Sequence, residues 1–314
     1  MKAILKGLVP AAALLAATVS AQTMVTEMTF STPATNGSSA SVSMDLHPTN
    51  IASGLLVLKG DGTYLTEIRE DETKIGRRWD PKLHSGFLHV GYFAHTEIRN
   101  QVGTATSDRF GYCCGVSEQS STIPGTLYMV VQPQSEWHLQ NGRRTLFGTG
   151  HAGDGYIRLW HQNKTLFYNY ARKMDGTNYI CQLTMAPVWD TNKWYFVAAS
   201  WQAGQTPVLY RREMSAEGTN SPAATLGTMT TGGEGTTTVY ESTPRLGKYG
   251  HPFLTPLGIG CHYYNPGNKA GTIDGGDVKI AWLRIDDDLS TVEQIEEVFN
   301  SLVAPEDATL ITIR

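Results

Sequence analysis

Charged residues are scarce in this chain. Asp, Glu, Lys and Arg make up 17% of its 314 residues, whereas an average globular protein has about 25%. The 25 basic residues are outnumbered by 29 acidic ones and form no basic stripe, and the net charge is −4. A nucleic-acid-binding protein needs such a stripe to neutralise phosphates. The composition therefore predicts that nucleic acid is not a partner.

Long apolar runs are also missing, except at the N-terminus. Residues 1–21 combine Lys2 and Lys6, an apolar run from Leu8 to Val19, and a small-residue cleavage site ending at Ala21. This pattern is typical of a secretory signal peptide and is too short for a membrane span. We therefore predict cleavage near Ala21, a protein that is secreted or periplasmic, and no transmembrane segment.

Cysteine is rare, with four residues, Cys113, Cys114, Cys181 and Cys261. An exported protein allows them to pair, in three connectivities. Cys113 and Cys114 are adjacent and poorly placed to bond each other, because the ring would be small and strained. Bonds from one of them to Cys181 and from the other to Cys261 are geometrically easier. Buried free thiols are the alternative.

Motifs for common cofactors are absent. The histidines show neither H-E-x-x-H nor H-x-x-E-H spacing, and the glycine runs lack the lysine of a phosphate loop. Calcium would need oxygen ligands from loops. The carboxylates Asp154 and Asp274 are the candidates for such a site, and no cofactor is otherwise indicated.

Short apolar runs between turn residues are abundant, which is typical of an all-β protein. Residues Trp194–Trp201 are apolar on both faces apart from Ser200, which predicts a strand buried inside a sandwich. The second strand of this hairpin is predicted at Val208–Met214. Further strands are predicted at Gly125–Pro133, Arg144–Gly148, Gly155–Gln162, Thr165–Arg172, Asn178–Met185, Pro256–Tyr264 and Asp277–Ile285.

One short helix is predicted near the C-terminus. Ser290 and Glu293 have the spacing of a capping box. Val292, Ile295, Phe299 and Leu302 then share one face, and Pro305 ends the helix. We predict a two-sheet antiparallel jelly-roll sandwich over 51–305. A Ser/Thr-rich segment or outer strands at 22–50 precede it, and a tail at 306–314 follows.

The order of these segments resembles the laminin-G-like (concanavalin A-like) jelly rolls. The resemblance covers roughly residues 120–303. It rests on Ile123–Leu127, Lys193–Ala198, Val208–Tyr210, Leu257–Gly260, Gly271–Asp274 and Asp288–Ile295. It implies two antiparallel sheets, and some relatives bind glycans, in part through calcium. Other relatives are glycoside hydrolases and polysaccharide lyases, so the fold does not choose between binding and catalysis.

A candidate binding surface lies on the strand Gly155–Gln162. Alternation places Ile157 and Leu159 on one face, and Tyr156, Arg158 and Trp160 on the other. Aromatic faces stack against sugar rings, and a guanidinium binds hydroxyls or a carboxylate. We therefore expect these three side chains to bind a glycan. The alternative is that Trp160 covers the second side of the sheet beneath a loop.

The next strand suggests a lyase. We expect Tyr168, Tyr170 and Arg172 to extend the surface of Arg158. A lyase needs a cation to neutralise a uronate carboxylate and a base, such as tyrosine, to take the C5 proton. Arg158 with Tyr168 or Tyr170 would meet that need. A glycosidase is not expected, because the paired-carboxylate motif E-x-D-x-x-E of related β-glucanases is absent.

A second candidate surface is the loop rim containing His262, Tyr264 and Asn265. Rim loops with such residues often bind glycans, and they also often pack at loop bases. The leading hypothesis is a secreted, non-catalytic protein that binds an extracellular polysaccharide or glycoconjugate. A uronate lyase and a structural surface protein without a small ligand are the alternatives. The sequence does not define the oligomeric state.

Overall fold

The computed structural model describes residues 24–29, 39–41, 54–59, 66–69, 87–90, 95–100, 125–151, 155–214, 222–230, 237–244, 257–260, 275–286 and 288–303. The predicted signal peptide at 1–21 and the tail at 306–314 lie outside these residues. Within the predicted segment 22–50, Met24–Thr29 and Ser39–Ser41 are strands.

The described strands form two sheets. In chain order they are β1 Met24–Thr29, β2 Ser39–Ser41, β3 Gly54–Lys59, β4 Thr66–Arg69, β5 Phe87–Val90, β6 His95–Asn100, β7 Gly125–Pro133, β8 Arg144–His151, β9 Gly155–Gln162, β10 Thr165–Met174, β11 Thr177–Met185, β12 Trp194–Trp201, β13 Leu209–Met214, β14 Thr225–Leu226, β15 Thr228–Met229, β16 Thr238–Tyr240, β17 Leu257–Ile259 and β18 Val278–Asp286.

The first sheet has the order β14-β13-β12-β7-β18-β5-β4 in the described chain, with β1 also paired to β18. The second sheet has the order β15-β11-β10-β9-β8-β17-β6-β3-β2, with β16 also paired to β11. All described pairings are antiparallel except the one between β16 and β11. The predicted all-β antiparallel sandwich is confirmed.

Strand β12 lies at the centre of three layers. Tyr195, Val197 and Ala199 point into the core between the two sheets. Phe196 and Ala198 point the other way, into a second core beneath the helix. Every residue of β12 is buried, as the sequence predicts. The strand is apolar on both faces because each face is covered by a different layer.

A single helix in the described chain, α1 at Val292–Leu302, forms the third layer. It buries Ile295, Val298, Phe299 and Leu302 against the first sheet. The Phe299 ring meets the Phe196 ring edge-on, with 5.6 Å between centroids. The predicted apolar face is therefore the face that packs. No helix in the described part of the chain is both long enough and apolar enough to span a membrane.

The helix begins one residue later than the capping pattern predicts. Thr291 is the N-cap, and its hydroxyl accepts from the backbone N–H of Gln294, whose side chain accepts from the N–H of Thr291. Ser290 is buried instead, and its hydroxyl hydrogen-bonds the Tyr128 hydroxyl at 2.6 Å. The S/T-x-x-E/Q pattern occurs twice in overlapping registers here. Because Ser290 packs against the sheet, the helix uses the second register, in which Thr291 is the N-cap.

The helix layer yields a stability prediction. Phe299→Ala should lower the free energy of unfolding by about 3–5 kcal/mol, because it leaves a cavity between the helix and the first sheet. Urea unfolding followed by circular dichroism measures this. Glu297→Ala, at an exposed position of the same helix, is the control and should change stability by less than about 0.5 kcal/mol. Equal effects of the two substitutions would contradict the packing described.

Candidate functional site

The hairpin of β9 and β10 divides its side chains between the core and the outer face of the second sheet. Its turn holds Asn163 and Lys164 at φ values of 49° and 66°, as in a two-residue type I′ turn. This turn places Arg158 opposite Asn169 and Trp160 opposite Phe167. These four side chains, the outer quartet, share the face that points away from the core.

The same register corrects the expected lyase surface. Tyr168 pairs with Leu159, and Tyr170 pairs with Ile157, so both tyrosines lie on the core side, opposite to Arg158. The Tyr168 hydroxyl donates to the carbonyl of Ser200 at 3.1 Å. Burial raises the pKa of Tyr168 well above its usual value. The expectation that the tyrosines extend the Arg158 surface is therefore wrong.

The outer quartet is a compact aromatic and polar cluster. The rings of Trp160 and Phe167 are stacked, with 5.1 Å between centroids and 11° between planes. The Arg158 guanidinium carbon lies 5.7 Å from the centre of the Trp160 ring. Trp160 is 8% exposed and Asn169 is 4% exposed, whereas Arg158 and Phe167 are half-buried. A ligand would thus meet Arg158 and Phe167 first.

Three buried polar atoms on this face lack a hydrogen-bond partner in the described part of the chain. They are the indole Nε1 of Trp160, the amide Oδ1 of Asn169 and the hydroxyl of Thr145. Thr145 lies on β8, directly opposite Trp160. A buried polar atom without a partner costs about 1–3 kcal/mol, so such atoms usually bind a ligand or water. The cluster offers both donors and acceptors.

A second cluster, the end cluster, lies at one end of the sandwich and consists of Trp137, His161, Trp189, Tyr195 and Arg211. The Trp137 and Trp189 rings are 5.0 Å apart between centroids, and the His161 ring lies 5.9 Å from Trp137. The Arg211 guanidinium stacks over Trp189 at 4.4 Å and over Tyr195 at 4.0 Å. Sequence reasoning missed this cluster, because its members come from four separate stretches of the chain with no shared motif.

His161 is fully buried in the end cluster, and neither ring nitrogen makes a hydrogen bond of good geometry to a described residue. Burial lowers the pKa of His161 from 6.5 to about 4, the charges of His138 and Arg144 act in the same direction, and the backbone of Lys164 opposes them. The imidazole is therefore neutral at physiological pH. Neutral and enclosed by tryptophans, it packs as an aromatic ring.

This pKa predicts acid sensitivity. The unfolded chain takes up the His161 proton near pH 6.5 and the folded chain only near pH 4, so the free energy of unfolding should fall as pH drops across this interval. The loss attributable to His161 is on the order of 3 kcal/mol. Urea unfolding of the wild type and of His161→Leu across the interval measures it. A wild-type pH dependence that persists unchanged in His161→Leu would contradict this assignment.

Cys181 corrects the predicted disulfide pairing. It is a free thiol, buried in the core between the sheets, and its sulfur lies 3.9 Å from the sulfur of Met229. Strand β11 directs this residue inward beside Tyr170. Burial raises the pKa of the Cys181 thiol to about 12. The pairing is wrong for Cys181, while Cys113, Cys114 and Cys261 lie outside the described residues.

The burial of Cys181 predicts low reactivity. Iodoacetamide should label it only after unfolding, because the thiolate is the reacting form and is both rare and enclosed. Peptide mapping by mass spectrometry, with labelling before and after guanidinium treatment and without reductant, distinguishes Cys181 from the other cysteines. Rapid labelling of Cys181 in the native protein would contradict its position in the core.

The structure does not describe the side chains of the remaining predicted site residues. Asp154 and Asp274, the calcium candidates, and the rim residues His262, Tyr264 and Asn265 lie outside the described residues. Tyr156 and Arg172 occupy strand positions opposite Ala171 and Tyr179, and their side chains are not described. Among the described residues, no group of three or more His, Cys, Asp or Glu side chains is positioned to hold a metal ion.

No family model matches the chain, and no curated protein matches its sequence. The laminin-G-like resemblance therefore stays a prediction. One similar solved structure is the receptor binding domain of botulinum neurotoxin C/D mosaic serotype, which is 9% identical with a TM-score of 0.48. The match covers 88% of this chain and 51% of that structure. The receptor binding domain of botulinum neurotoxin D is also 9% identical, with a TM-score of 0.45. The match covers 88% of this chain and 52% of that structure.

The binding domain of botulinum neurotoxin DC, solved in complex with SialylT, is 8% identical with a TM-score of 0.43. The match covers 89% of this chain and 52% of that structure. This chain thus spans about half the length of these solved structures.

Proposed function

We propose that the protein is a secreted, non-catalytic glycan-binding sandwich that contacts its ligand through the outer quartet. The observation that carries this proposal is the set of buried, unpartnered polar atoms of Trp160, Asn169 and Thr145. They lie on the face where Arg158 and Phe167 remain partly exposed. The signal-peptide pattern of residues 1–21 supports the extracellular location.

The chemistry of the outer quartet suits a sugar. A sugar ring presents hydroxyls that both donate and accept hydrogen bonds, and C–H groups that pack on aromatic rings. Phe167 offers the partly exposed aromatic surface, and Arg158 offers a charged donor that suits hydroxyls or a carboxylate. Because the guanidinium of Arg158 can bind a carboxylate, it favours an acidic glycan as the ligand. Trp160 stacks on Phe167 and lies close to Arg158, and it would hold both in place.

No observation favours the lyase alternative. Arg158 lies on the outer face and the two tyrosines lie on the core side. A proton-abstracting base must lie within hydrogen-bond reach of the substrate that the cation holds. Tyr168 instead donates its hydroxyl to the Ser200 carbonyl inside the core.

Binding to an array of neutral and acidic glycans, followed by titration calorimetry on the best ligand, tests this proposal. Arg158→Gln should weaken binding by about ten- to a hundredfold, because a charged hydrogen bond contributes about 1.5–3 kcal/mol. Phe167→Leu should weaken it by about tenfold through loss of ring contact. Lys164→Gln, an exposed cation in the turn of the same hairpin, is the matched control and should bind as the wild type does.

Two outcomes would overturn the proposal. If no glycan on the array binds, the glycan-binding assignment is wrong and a structural surface protein is favoured. New ultraviolet absorbance from unsaturated uronate ends would show a lyase and remove the non-catalytic assignment. Weakened binding in Arg158→Gln with an intact control and no new absorbance would support the proposal.

A further inference from the structure

Strand β11 continues the outer face of the second sheet beyond the outer quartet. Cys181 and Leu183 face the core, so Gln182 between them points outward, where it is half-buried. The register pairs Gln182 with Asn169 of the outer quartet. Paired residues on one face have Cβ atoms about 5 Å apart, so Gln182 directly adjoins the outer quartet.

Two short segments complete the edge of the sheet beside β11. The backbone N–H of Thr230 donates to the carbonyl of Gln182 at 2.8 Å, and the N–H of Glu241 donates to the carbonyl of Ile180 at 2.9 Å. Strand β16 pairs Tyr240 with Ile180. Ile180 and Gln182 are successive outward residues of β11, and paired residues of neighbouring strands share a face. Tyr240 therefore lies on the outer face, next to Ile180.

The residues Gln182, Thr230 and Tyr240, the edge subsite, can bind the hydroxyl groups of a sugar. Nε2 of Gln182 donates to Oγ1 of Thr230 at 3.1 Å, which orients both side chains. All three residues are half-buried, so each keeps surface for a ligand. The Thr230 and Tyr240 hydroxyls donate and accept, and the amide oxygen of Gln182 accepts. The Tyr240 ring adds an aromatic surface on which sugar C–H groups pack.

The edge subsite differs from the outer quartet in charge. The outward residues of the described strands β11, β15 and β16 include no Asp, Glu, Lys or Arg. The outer quartet, by contrast, contains the Arg158 guanidinium, which suits a carboxylate. An acidic sugar unit therefore suits the outer quartet, and neutral units suit the edge subsite.

The distance between the two groups is longer than a single sugar ring. Phe167 pairs with Thr184 on β11, and Tyr240 pairs with Ile180, four residues further along the same strand. Two strand spacings across the sheet and four residues along it separate Phe167 from Tyr240 by roughly 16 Å. A monosaccharide cannot contact both aromatic rings, whereas a chain of several sugar units can.

We infer that the binding face takes an extended glycan chain, whose acidic unit lies at Arg158 and whose neutral units cross β11 to Gln182 and Tyr240. This inference rests on the proposed function of the outer quartet. Backbone hydrogen bonds hold both groups in one sheet, so little conformational entropy is lost on binding. Affinity should then depend on chain length, because only a long ligand reaches the edge subsite.

Titration calorimetry with short and long probes tests this inference. The short probe is glucuronic acid, and the long probes are xylotriose substituted with glucuronic acid and the hyaluronan tetrasaccharide. Each long probe joins an acidic unit to neutral ones. At least one long probe should bind about tenfold or more tightly than glucuronic acid, because the hydrogen bonds and ring contact of the edge subsite add to those of the outer quartet. Competition against that long probe measures the weaker binding of glucuronic acid.

Substitutions in the edge subsite should affect the long probe alone. Tyr240→Ala should weaken its binding about tenfold through loss of ring contact, and Tyr240→Phe, which keeps the ring, should retain most of the affinity. Gln182→Ala should weaken it about three- to tenfold. Gln205→Ala, at an exposed position between β12 and β13, is the matched control and should bind both probes as the wild type does. Thermal unfolding of each variant checks that the fold is intact.

Failure of this inference differs from failure of glycan binding itself. If no glycan on the array binds, the proposed function is wrong and the inference falls with it. If array glycans bind but neither long probe exceeds glucuronic acid in affinity, the inference alone is overturned. Unchanged binding of the long probe in both Tyr240→Ala and Gln182→Ala, or an equal loss for short and long probes, would also overturn it. A loss confined to the long probe supports it.

Discussion

Burial of β12 on both of its faces is the constraint on which the rest of the architecture depends. A strand whose residues are all buried needs a covering layer on each side. The second sheet covers the face with Tyr195 and Val197, and the helix covers the face with Phe196. Strand β7 pairs on one side and β13 on the other. The central position of β12 thus explains both the sandwich and the single described helix packed against it.

Strand register decides which side chains of the second sheet meet a ligand. The turn at Asn163 and Lys164 pairs even positions of β9 with odd positions of β10. Because side chains alternate between faces, a slip of one residue would exchange the core and the outer face. In the observed register, Tyr168 lies in the core and Phe167 lies beside Trp160. A two-residue turn therefore determines the composition of the candidate site.

Unpartnered buried polar atoms occur in both clusters, with different consequences. In the end cluster, burial favours the neutral form of His161, whose ring packs against Trp137 and Trp189. On the outer face, the unpartnered atoms of Trp160 and Asn169 adjoin side chains that are partly exposed. Buried polar groups are stabilised when they gain a partner. The outer quartet is consequently the better candidate for a ligand.

Local patterns in the sequence were enough to predict strands β7–β13, β17 and β18, the apolar face of the helix and the burial of Trp194–Trp201, because hydrophobic periodicity depends only on near neighbours. They also predicted that Arg158 and Trp160 share a face. They could not predict the face of Tyr168, which depends on register across strands, or the free state of Cys181, which depends on its position in the core. The end cluster unites four distant stretches of the chain, so tertiary packing brings its side chains together.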